Sequence, residues 1–502
     1  MLRKIRISLA LVFFVLLTML FLDFTGTFHR FFAWMAQVQF IPAVLAVNTV
    51  IIIALLVLTL LFGRIYCSVV CPLGIWQDIV SWLSKRRKRV KHKPFRYSKS
   101  LTWLRVAFLV VFVVLLAAGL TRFASLIDPY SAFGRIASNI FAPVYHLINN
   151  SLAFFSERFN SYAFYSTEVW IKSISVLTVS IVTLLIVSIL AWQRGRIYCN
   201  SVCPVGTVLG FVSQFSVFKP VIVESKCNDC GTCARKCKSQ CINSKEHKID
   251  YSRCIACFDC MEVCSQKAMQ YTFSFNKKSE KTVQAHNDSS RKIDSSKRNF
   301  LTVSALVATA TALKAQESAV DGGLAVIENK KIPKRHTPIL PPGAESRHHF
   351  YQHCTACQLC VSACPNNVLR PATDIAHFMQ PEMQYEHGYC RPECVSCSAV
   401  CPTGAIGKIN VVEKSSLKTG TATWIRKNCV VVSDGVSCSN CERHCPVGAI
   451  SRVPMNENDE KSLKIPVVDE ERCIGCGACE NLCPARPFSA IYVEGIEKQR
   501  FI

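Results

Sequence analysis

The sequence lacks the short motifs that identify several common cofactor and nucleotide sites. It has no C-x-x-C-H, so covalent c-type haem is not expected. It also has no G-x-G-x-x-G, no P-loop and no H-E-x-x-H, so no motif indicates a dinucleotide, a nucleoside triphosphate or a catalytic zinc ion. Charged residues are scarce as well, at 18% of the 502 residues. The chemistry must therefore be sought in what is abundant, which is apolar residues and cysteine.

Apolar residues make up 50% of the chain, and the N-terminal part concentrates them in runs long enough to cross a hydrocarbon layer of about 30 Å as helices. We predict a membrane α-helical domain with four transmembrane helices in two tandem hairpins. The first run could be a cleaved signal peptide, but it exceeds the usual apolar length and no small-x-small site follows it. The four runs are roughly Ile5 to Leu22, Pro42 to Phe62, Leu101 to Leu120 and Ser173 to Trp192.

The basic residues are unevenly distributed. Lys and Arg number 58 against 34 Asp and Glu, a net charge of +24, and nine of them lie between Lys85 and Lys99, directly after an apolar run. The positive-inside rule makes this a cytoplasmic loop of a bacterial inner-membrane protein. The cation-poor segment from Thr121 to Lys172 is then expected to be an outer loop on the membrane surface. No nucleic-acid recognition fold accompanies the basic run, so the expected partner is membrane lipid rather than nucleic acid.

The 29 cysteines are mostly arranged in six tight groups that end in C-x-x-C-x-x-x-C or a close variant. A disulfide scaffold has no reason to repeat this spacing, and zinc ribbons pair two C-x-x-C knuckles instead. The spacing matches [4Fe–4S] ligation, in which the fourth cysteine ligates the neighbouring cluster. We therefore predict about six [4Fe–4S] clusters in α+β ferredoxin-like domains.

Two of these groups lie in a first soluble unit. The predicted ligands are Cys227, Cys230, Cys233 and Cys264 for one cluster, and Cys254, Cys257, Cys260 and Cys237 for the other. Lys238 and Ser265 stand where proline usually follows the fourth cysteine. Cys241, just beyond the first group, is expected to be a small packing residue.

Four more groups lie in the C-terminal part, and the similar CPTGAI and CPVGAI at Cys401 and Cys445 mark the two inner groups as a pair. We therefore predict that the outer groups exchange their fourth ligands with each other and that the inner groups do the same. The predicted sets are Cys354, Cys357, Cys360 and Cys483; Cys473, Cys476, Cys479 and Cys364; Cys390, Cys394, Cys397 and Cys445; and Cys429, Cys438, Cys441 and Cys401.

A repeat occurs in the N-terminal part, where GRIYCSVVCPLG begins at Gly63 and GRIYCNSVCPVG at Gly195. Each copy carries two cysteines four residues apart, Cys67 with Cys71 and Cys199 with Cys203, a spacing that places both on one helix face. The proline after each second cysteine suits a helix start. The repetition favours a membrane redox site, which the two hairpins could share as a single four-thiolate site. Packing of a re-entrant turn is the alternative.

The predicted domains are a membrane domain at 1–215, a two-cluster ferredoxin at 216–275, a polar linker at 276–298, a signal or anchor at 299–316 and a four-cluster polyferredoxin at 317–502. SSKRNFL resembles a twin-arginine export signal with Lys297 in place of the first arginine. A fifth membrane helix and an amphipathic cytoplasmic helix are the alternatives for Phe300 to Ala315. LKTGTATW, Leu417 to Trp424, is expected to be a strand rather than a flavin-attachment motif.

These motifs together resemble a fusion of two partners from the periplasmic nitrate reductase system. The two GR-x-Y-C-x-x-x-CP motifs with a two-cluster ferredoxin resemble the NapH-type membrane subunit, whose module also occurs in NosR-like and MauN-like proteins. LPPGAESRHHFYQHCTACQLCVSACP from Leu340, and TGTATW with CVVVSDGVSCSNCERHCP from Thr419, resemble the exported NapG-type ferredoxin. The resemblance implies electron flow from quinol to a periplasmic reductase or cytochrome.

We therefore predict a quinol-linked electron-transfer component rather than a terminal catalytic subunit, with no catalytic residue of its own. Two other functions are compatible with the same residues. One is an assembly, maturation or redox-sensing factor for a partner reductase. The other is a polyferredoxin that faces the cytoplasm throughout.

Overall fold

The computed structural model describes residues 1–86, 95–160, 164–167, 169, 171–273, 328–456, 459 and 462–502. The predicted linker at 276–298 and the signal-like segment at 299–316 lie outside these residues. The described chain forms a helical domain (residues 2–213), a small cysteine-rich domain (218–273) and a large cysteine-rich domain (328–502).

The helical domain consists of α1 to α14, with a π-helical turn, Ala137–Phe141, between α10 and α11. The bounds in chain order are Leu2–Leu22, Thr27–Phe32, Trp34–Gln37, Phe40–Leu45, Thr49–Phe62, Tyr66–Val69, Pro72–Arg86, Thr102–Ala117, Thr121–Ile127, Pro129–Ile136, Ala142–Arg158, Ile174–Arg194, Ile197–Ser201 and Pro204–Ser213.

Two of these helices, α1 and α12, are 21 residues long and apolar enough to cross a membrane. The second predicted run is divided, because Val47 adopts a positive φ of 51° and Asn48 caps a new helix by accepting from the Ile51 N–H at 3.3 Å. That leaves α5 with 14 residues, and the third predicted run forms α8 with 16 residues. These two helices reach about 21 and 24 Å, so the number of transmembrane helices stays a prediction.

The segment from Thr121 to Lys172, predicted to lie on the outer surface of the membrane, is mainly helical, and its side of the membrane stays a prediction. It contains α9, α10, the π-helical turn and α11. The Asp128 carboxylate caps α10 by accepting from the backbone N–H groups of Tyr130 and Ser131, and Pro129 occupies the first helical position. The segment packs against the ends of the long helices and against the large cysteine-rich domain.

The two copies of the repeat produce the same local structure. Gly63 and Gly195 end α5 and α12 with positive φ values of 74° and 68°, a conformation that glycine adopts without strain. The chain then forms a short helix and starts a second one at Pro72 or Pro204, as the Cys-Pro sequence predicts.

The two helices that follow the repeats connect the halves of the helical domain. The first, α7, packs between α1 and α12, and the second, α14, packs between α5 and α8. Each therefore contacts one long helix from its own half and one from the other half. This exchange brings the two cysteine pairs into the same interior.

The small domain is a two-stranded sheet that encloses a central hairpin. Strand β1, Phe218–Ile222, pairs antiparallel with β4, Met269–Phe273. The hairpin joins β2, Ile242–Asn243, to β3, Lys248–Ile249. Two short helices, α15 and α16, carry cysteines of the first and second group, and their bounds are Thr232–Lys236 and Asp259–Glu262.

The large domain contains two copies of a similar arrangement. Its helices α17 to α23 span Arg347–His353, Leu359–Ser362, Ser396–Val400, Val411–Ser416, Val430–Ser433, Asn440–Arg443 and Ala478–Asn481, and its strands β5 to β10 span Leu369–Pro371, Pro381–Met383, Leu417–Trp424, Ile450–Pro454, Lys464–Val468 and Ile491–Phe501. The pairs β5–β6, β8–β9 and β7–β10 are antiparallel. The expected strand at Leu417–Trp424 is confirmed as β7.

The two cysteine-rich domains contact opposite ends of the helical domain. Arg3, at the start of α1, pairs with Asp259 of the small domain at 2.8 Å. At the other end of α1, Phe21 packs on Tyr130, next to the large domain. Helix α1 is 21 residues long, so about 30 Å separates these contacts.

Candidate metal centres

The small domain brings together both predicted ligand sets. Cys227, Cys230, Cys233 and Cys264 line one cavity, and Cys237, Cys254, Cys257 and Cys260 line another. Each set contains three cysteines from one group and the fourth from the other group. Cys241 lines the second cavity as well.

Cys241 does more than the predicted packing. Its side chain is buried, and its Sγ lies 3.5 Å from the Sγ of Cys237. The hydrogen bond from the Cys241 thiol is the main reason that the pKa of Cys237 falls to about 7. A predicted cluster ligand therefore has a buried S–H donor next to it.

The large domain groups its cysteines differently from the prediction. Cys401 neighbours Cys354, Cys357 and Cys360, and Cys364 neighbours Cys390 and Cys397. Cys483 lines one cavity with Cys429, Cys438 and Cys441, and Cys445 lines another with Cys473, Cys476 and Cys479. The predicted exchange of outer with outer and inner with inner groups is therefore wrong, because adjacent groups exchange their fourth cysteines.

The reason is local chain geometry. A short hairpin separates the two groups of each pair: β2–β3 in the small domain, and β5–β6 and β8–β9 in the large domain. The hairpin returns the chain so that the second group faces the first. Closing such a short loop costs less conformational entropy than joining the two outer groups, which lie more than a hundred residues apart. The inner groups are about as close in the chain as the paired groups, so the hairpins rather than chain length decide their pairing.

The backbone of four groups is shaped to surround a bound cluster. The residue directly before the second cysteine and the residue directly after it both have positive φ in these groups. With positive φ on both sides of the cysteine, the loop wraps around the site and its backbone N–H groups turn towards the thiols. The residues are Asp229 and Gly231, Ala256 and Phe258, Ala356 and Gln358, and Gly475 and Gly477.

Two buried thiols of the large domain, Cys357 and Cys476, resist ionisation. Burial raises the pKa of Cys357 and of Cys476 to about 12. Metal ligation requires thiolates, so a bound cation must compensate for the desolvation of these groups. The cavities, the wrapped loops and the buried thiols all fit iron–sulfur clusters.

A further set of four thiols, separate from the six sets in the cysteine-rich domains, lies inside the helical domain. Cys67, Cys71, Cys199 and Cys203 are all buried and are electrostatic neighbours of one another. The structure thus brings the two predicted pairs together from the two halves of the domain. Each pair spans a short helix and the following break rather than two turns of one helix.

The arginines of the repeat complete this thiol cluster with near two-fold symmetry. Arg64 Nη2 lies 3.8 Å from Cys67 Sγ and donates to the Cys199 carbonyl at 3.2 Å. Arg196 Nη1 lies 3.8 Å from Cys199 Sγ and donates to the Cys67 carbonyl at 2.8 Å. Each arginine thus contacts both cysteine pairs.

Further N–H donors point at the thiols. Gln77 Nε2 lies 3.3 Å from Cys199 Sγ, and the Gly206 N–H donates to Cys203 Sγ at 3.3 Å. Sequence reasoning identified the four cysteines but did not assign a role to Arg64, Arg196 or Gln77. The exact recurrence of G-R-I-Y-C was the signal that could have identified the arginines.

An ion-pair network joins the thiol cluster to the small domain. Asp78 accepts from Arg6 and from Arg196, each at 2.9 Å, and Lys238 lies 3.4 Å from Asp78 and 3.0 Å from Asp259. Lys238 occupies the place of the usual proline after a fourth cysteine. The substitution is explained by this contact between domains.

Family models and known relatives agree with the cysteine pattern. A family model described as a 4Fe-4S binding domain matches residues 45–91 and 176–222, which contain the two repeats. A 4Fe-4S dicluster domain model matches residues 353–405 and 436–486, the same adjacent groups that the structure pairs. No solved structure matches the chain.

Three relatives illustrate the similarity. The ferredoxin-type protein MauM of methylamine utilization from Methylophilus methylotrophus is 34% identical over 167 residues, which are 32% of this chain and 72% of MauM. An uncharacterized protein of Methanocaldococcus jannaschii is 27% identical over 283 residues, 56% of this chain and 90% of that protein. The ferredoxin-type protein NapG of Escherichia coli is 27% identical over 154 residues, 28% of this chain and 64% of NapG. The chain belongs to the ferredoxin-type family of [4Fe–4S] electron-transfer proteins.

Proposed function

We propose that the protein is a membrane-anchored electron conduit that takes electrons from the quinol pool and passes them through [4Fe–4S] clusters to a redox partner outside the cytoplasmic membrane. The observation that carries this proposal is the placement of two sets of cysteine groups at opposite ends of one helical domain. A soluble carrier would not need its two sets of cysteine groups at opposite ends of an apolar helix of 21 residues.

The arrangement of the large domain supports passage along a series of sites. The Cys354 and Cys390 groups share a hairpin, and the backbone N–H of Cys390 donates to the Cys476 carbonyl at 2.9 Å. The Cys473 group in turn shares its hairpin with the Cys429 group. The sites therefore follow one another from the helical domain outwards, and the loop of the Cys354 group makes hydrogen bonds to the helices.

The contact with the helical domain is specific and polar. Asn139 donates to the Gln358 side chain at 2.7 Å, Ser138 and Ser362 share a hydrogen bond of 2.8 Å, and Lys172 donates to the Val361 carbonyl at 3.0 Å. These bonds fix the loop that holds Cys357 and Cys360 on the helices. When bound, each [4Fe–4S] cluster gives and accepts single electrons.

Reduction by a quinol analogue tests the proposal. Anaerobically purified protein in detergent or lipid should contain at least about 24 irons, four for each of the six groups, and its clusters should be reduced rapidly and reversibly by the analogue. Protein that holds the clusters but is reduced slowly or not at all by quinol would contradict the conduit, and would favour an assembly or sensing factor.

A further inference from the structure

We infer that Cys67, Cys71, Cys199 and Cys203 jointly hold one additional iron–sulfur cluster, which carries electrons between the small and the large cysteine-rich domain. The inference rests on the proposed electron-transfer function and names a site and a route within it. Each of the two repeats contributes only two cysteines, so neither repeat supplies the four thiolates that such a cluster needs.

The first argument is charge. Arg64 is fully buried, and it donates only to neutral groups, the Asn200 side chain and the Ser252 and Cys199 carbonyls, and approaches the Cys67 sulfur. Among the described residues no carboxylate lies within ion-pair distance of it. A buried cation without a counter-charge is strongly unfavourable. The groups beside Arg64 that can become anionic are sulfur atoms, that of Cys67 at 3.8 Å and that of Cys254 in the small domain.

The second argument is the charge balance of the ion-pair network around Asp78. The ion-pair network contains four cations, Arg3, Arg6, Arg196 and Lys238, and three carboxylates, Asp78, Asp259 and Glu262. Arg64 lies beside this network and adds a fifth cation. Two positive charges are thus left without a partner. Four thiolates around a [4Fe–4S]²⁺ or a [2Fe–2S]²⁺ core carry a net charge of about −2, which compensates for the difference.

The third argument is the pair of buried guanidinium nitrogens without partners. Arg64 Nε and Arg196 Nη2 are buried and have no hydrogen-bond partner, and both guanidinium groups lie against the thiols. Buried N–H groups normally find an acceptor. The sulfide and thiolate sulfurs of a cluster would supply acceptors at this position.

The site also lies on the route between the other sites. On one side, Arg64 donates to the Ser252 carbonyl at 3.0 Å, two residues before Cys254 of the small domain. On the other side, the Tyr198 hydroxyl donates to the Ile127 carbonyl at 2.9 Å, next to Asp128 and Tyr130. Tyr130 is fully buried and neighbours Cys357, Cys360 and Cys401 of the large domain.

Each step of the proposed transfer moves one electron. One electron leaves a reduced cluster of one cysteine-rich domain and enters the four-cysteine site, and the same electron then enters a cluster of the other domain. The donor cluster is oxidised by one electron and the acceptor is reduced by one. No bond forms or breaks and no proton is required. The two domains contact opposite ends of α1, about 30 Å apart, and the four-cysteine site divides the transfer between them into two shorter steps.

Metal analysis of the full-length protein tests the site. Anaerobically reconstituted wild type should contain about 28 irons if the additional cluster is [4Fe–4S] and about 26 if it is [2Fe–2S]. Cys67→Ser, Cys71→Ser, Cys199→Ser and Cys203→Ser should each lose that excess together with an equal amount of sulfide, and should keep about 24 irons. Ser68→Ala, at a buried position in the same short helix, is the matched control and should lose none.

The outcomes separate this inference from the proposed function. Wild type with about 24 irons, or serine variants that lose no iron and sulfide, would overturn the additional cluster while leaving the conduit intact. Wild type without iron would overturn both. The count in the wild type does not depend on whether any variant folds.

Electron transfer across liposomes tests the route. Wild-type protein reconstituted in liposomes should reduce trapped ferricyanide when dithionite is added outside, and Ser68→Ala should do so at the same rate. Cys67→Ser and Cys199→Ser should reduce the rate at least tenfold, although the clusters on the dithionite side are still reduced. Equal rates in the cysteine variants would overturn the proposed route.

Discussion

Arg64 is the residue that most directly sets the electrostatics of the four-cysteine site. Its guanidinium lies 3.8 Å from Cys67 Sγ without a carboxylate partner in the described part of the chain. A positive charge beside a cluster stabilises the reduced form, which carries one more negative charge. Arg64→Gln should therefore lower the reduction potential of this site by about 60 mV or more, the equivalent of a tenfold change in a one-electron equilibrium.

A redox titration followed by electron paramagnetic resonance measures this change. Arg64→Lys should retain most of the potential, because it keeps the charge, while Arg30→Gln should leave the potential unchanged because Arg30 is exposed at the surface. A potential that is the same in Arg64→Gln and wild type would show that the guanidinium does not face the redox centre.

Cys241 gives a second prediction for a single residue. Its thiol lies 3.5 Å from Cys237 Sγ, and hydrogen bonds to ligand sulfurs raise the potential of a cluster. Cys241→Ala should therefore keep the cluster but lower its potential by tens of millivolts, about the size expected for one weak S–H donor. Cys237→Ala should lose the cluster. If Cys241→Ala lost iron as Cys237→Ala does, Cys241 would be a ligand instead.

At the scale of helices and strands, the sequence could predict the features of the site that follow local rules, but not those that depend on packing between distant helices. Proline at the start of α7 and α14 follows a local rule, and the helix starts predicted after each Cys-Pro are confirmed there. The meeting of the two cysteine pairs was only one alternative, because it depends on α7 and α14 packing across the halves. Packing between distant helices leaves no local signal.

In the large domain, by contrast, a local sequence similarity led to a wrong prediction of which cysteine groups pair. The structure repeats the group–hairpin–group unit of the small domain, for which adjacent pairing was predicted. The similarity of CPTGAI and CPVGAI suggested a different pairing, yet CPTGAI belongs to the second group of its unit and CPVGAI to the first group of the other unit. Cys401 provides a fourth thiol to the preceding Cys354 group, and Cys445 provides one to the following Cys473 group. The short hairpin, rather than the shared hexapeptide, determines which groups meet.

Double variants distinguish the two pairings by iron content. Cys357→Ser and Cys401→Ser belong to one site in the structure, so the double variant should lose about four irons, the same as either single variant. Cys401→Ser with Cys441→Ser removes ligands from two sites and should lose about eight. The reverse result, four irons for the second double variant and eight for the first, would restore the pairing of the inner groups. Iron and sulfide analysis of anaerobically purified protein provides both numbers.

At the scale of the whole molecule, the two cysteine-rich domains are separated by the helical domain. The small domain contacts the end that carries Arg3 and Arg6, and the large domain contacts the end formed by α9, α10 and the π-helical turn. If the helices cross a membrane, the two domains lie in different compartments. Such an arrangement requires export of residues 317–502, for which the signal-like segment before Phe300 is the candidate.

Accessibility in intact spheroplasts tests this arrangement. The cation-rich segment from Lys85 to Lys99 favours the cytoplasm for the end of the helical domain that contacts the small domain. A reporter fused at Asn276 should therefore be protected from added protease, and a reporter at Ile502 should be degraded. Arg298→Gln, or a strain without the twin-arginine translocase, should abolish the exposure at Ile502. Lys99→Gln provides a control, because one of nine cations can be lost without reversing the orientation. If Ile502 remained protected in every strain, the conduit across the membrane would be wrong, and both domains would serve a cytoplasmic partner.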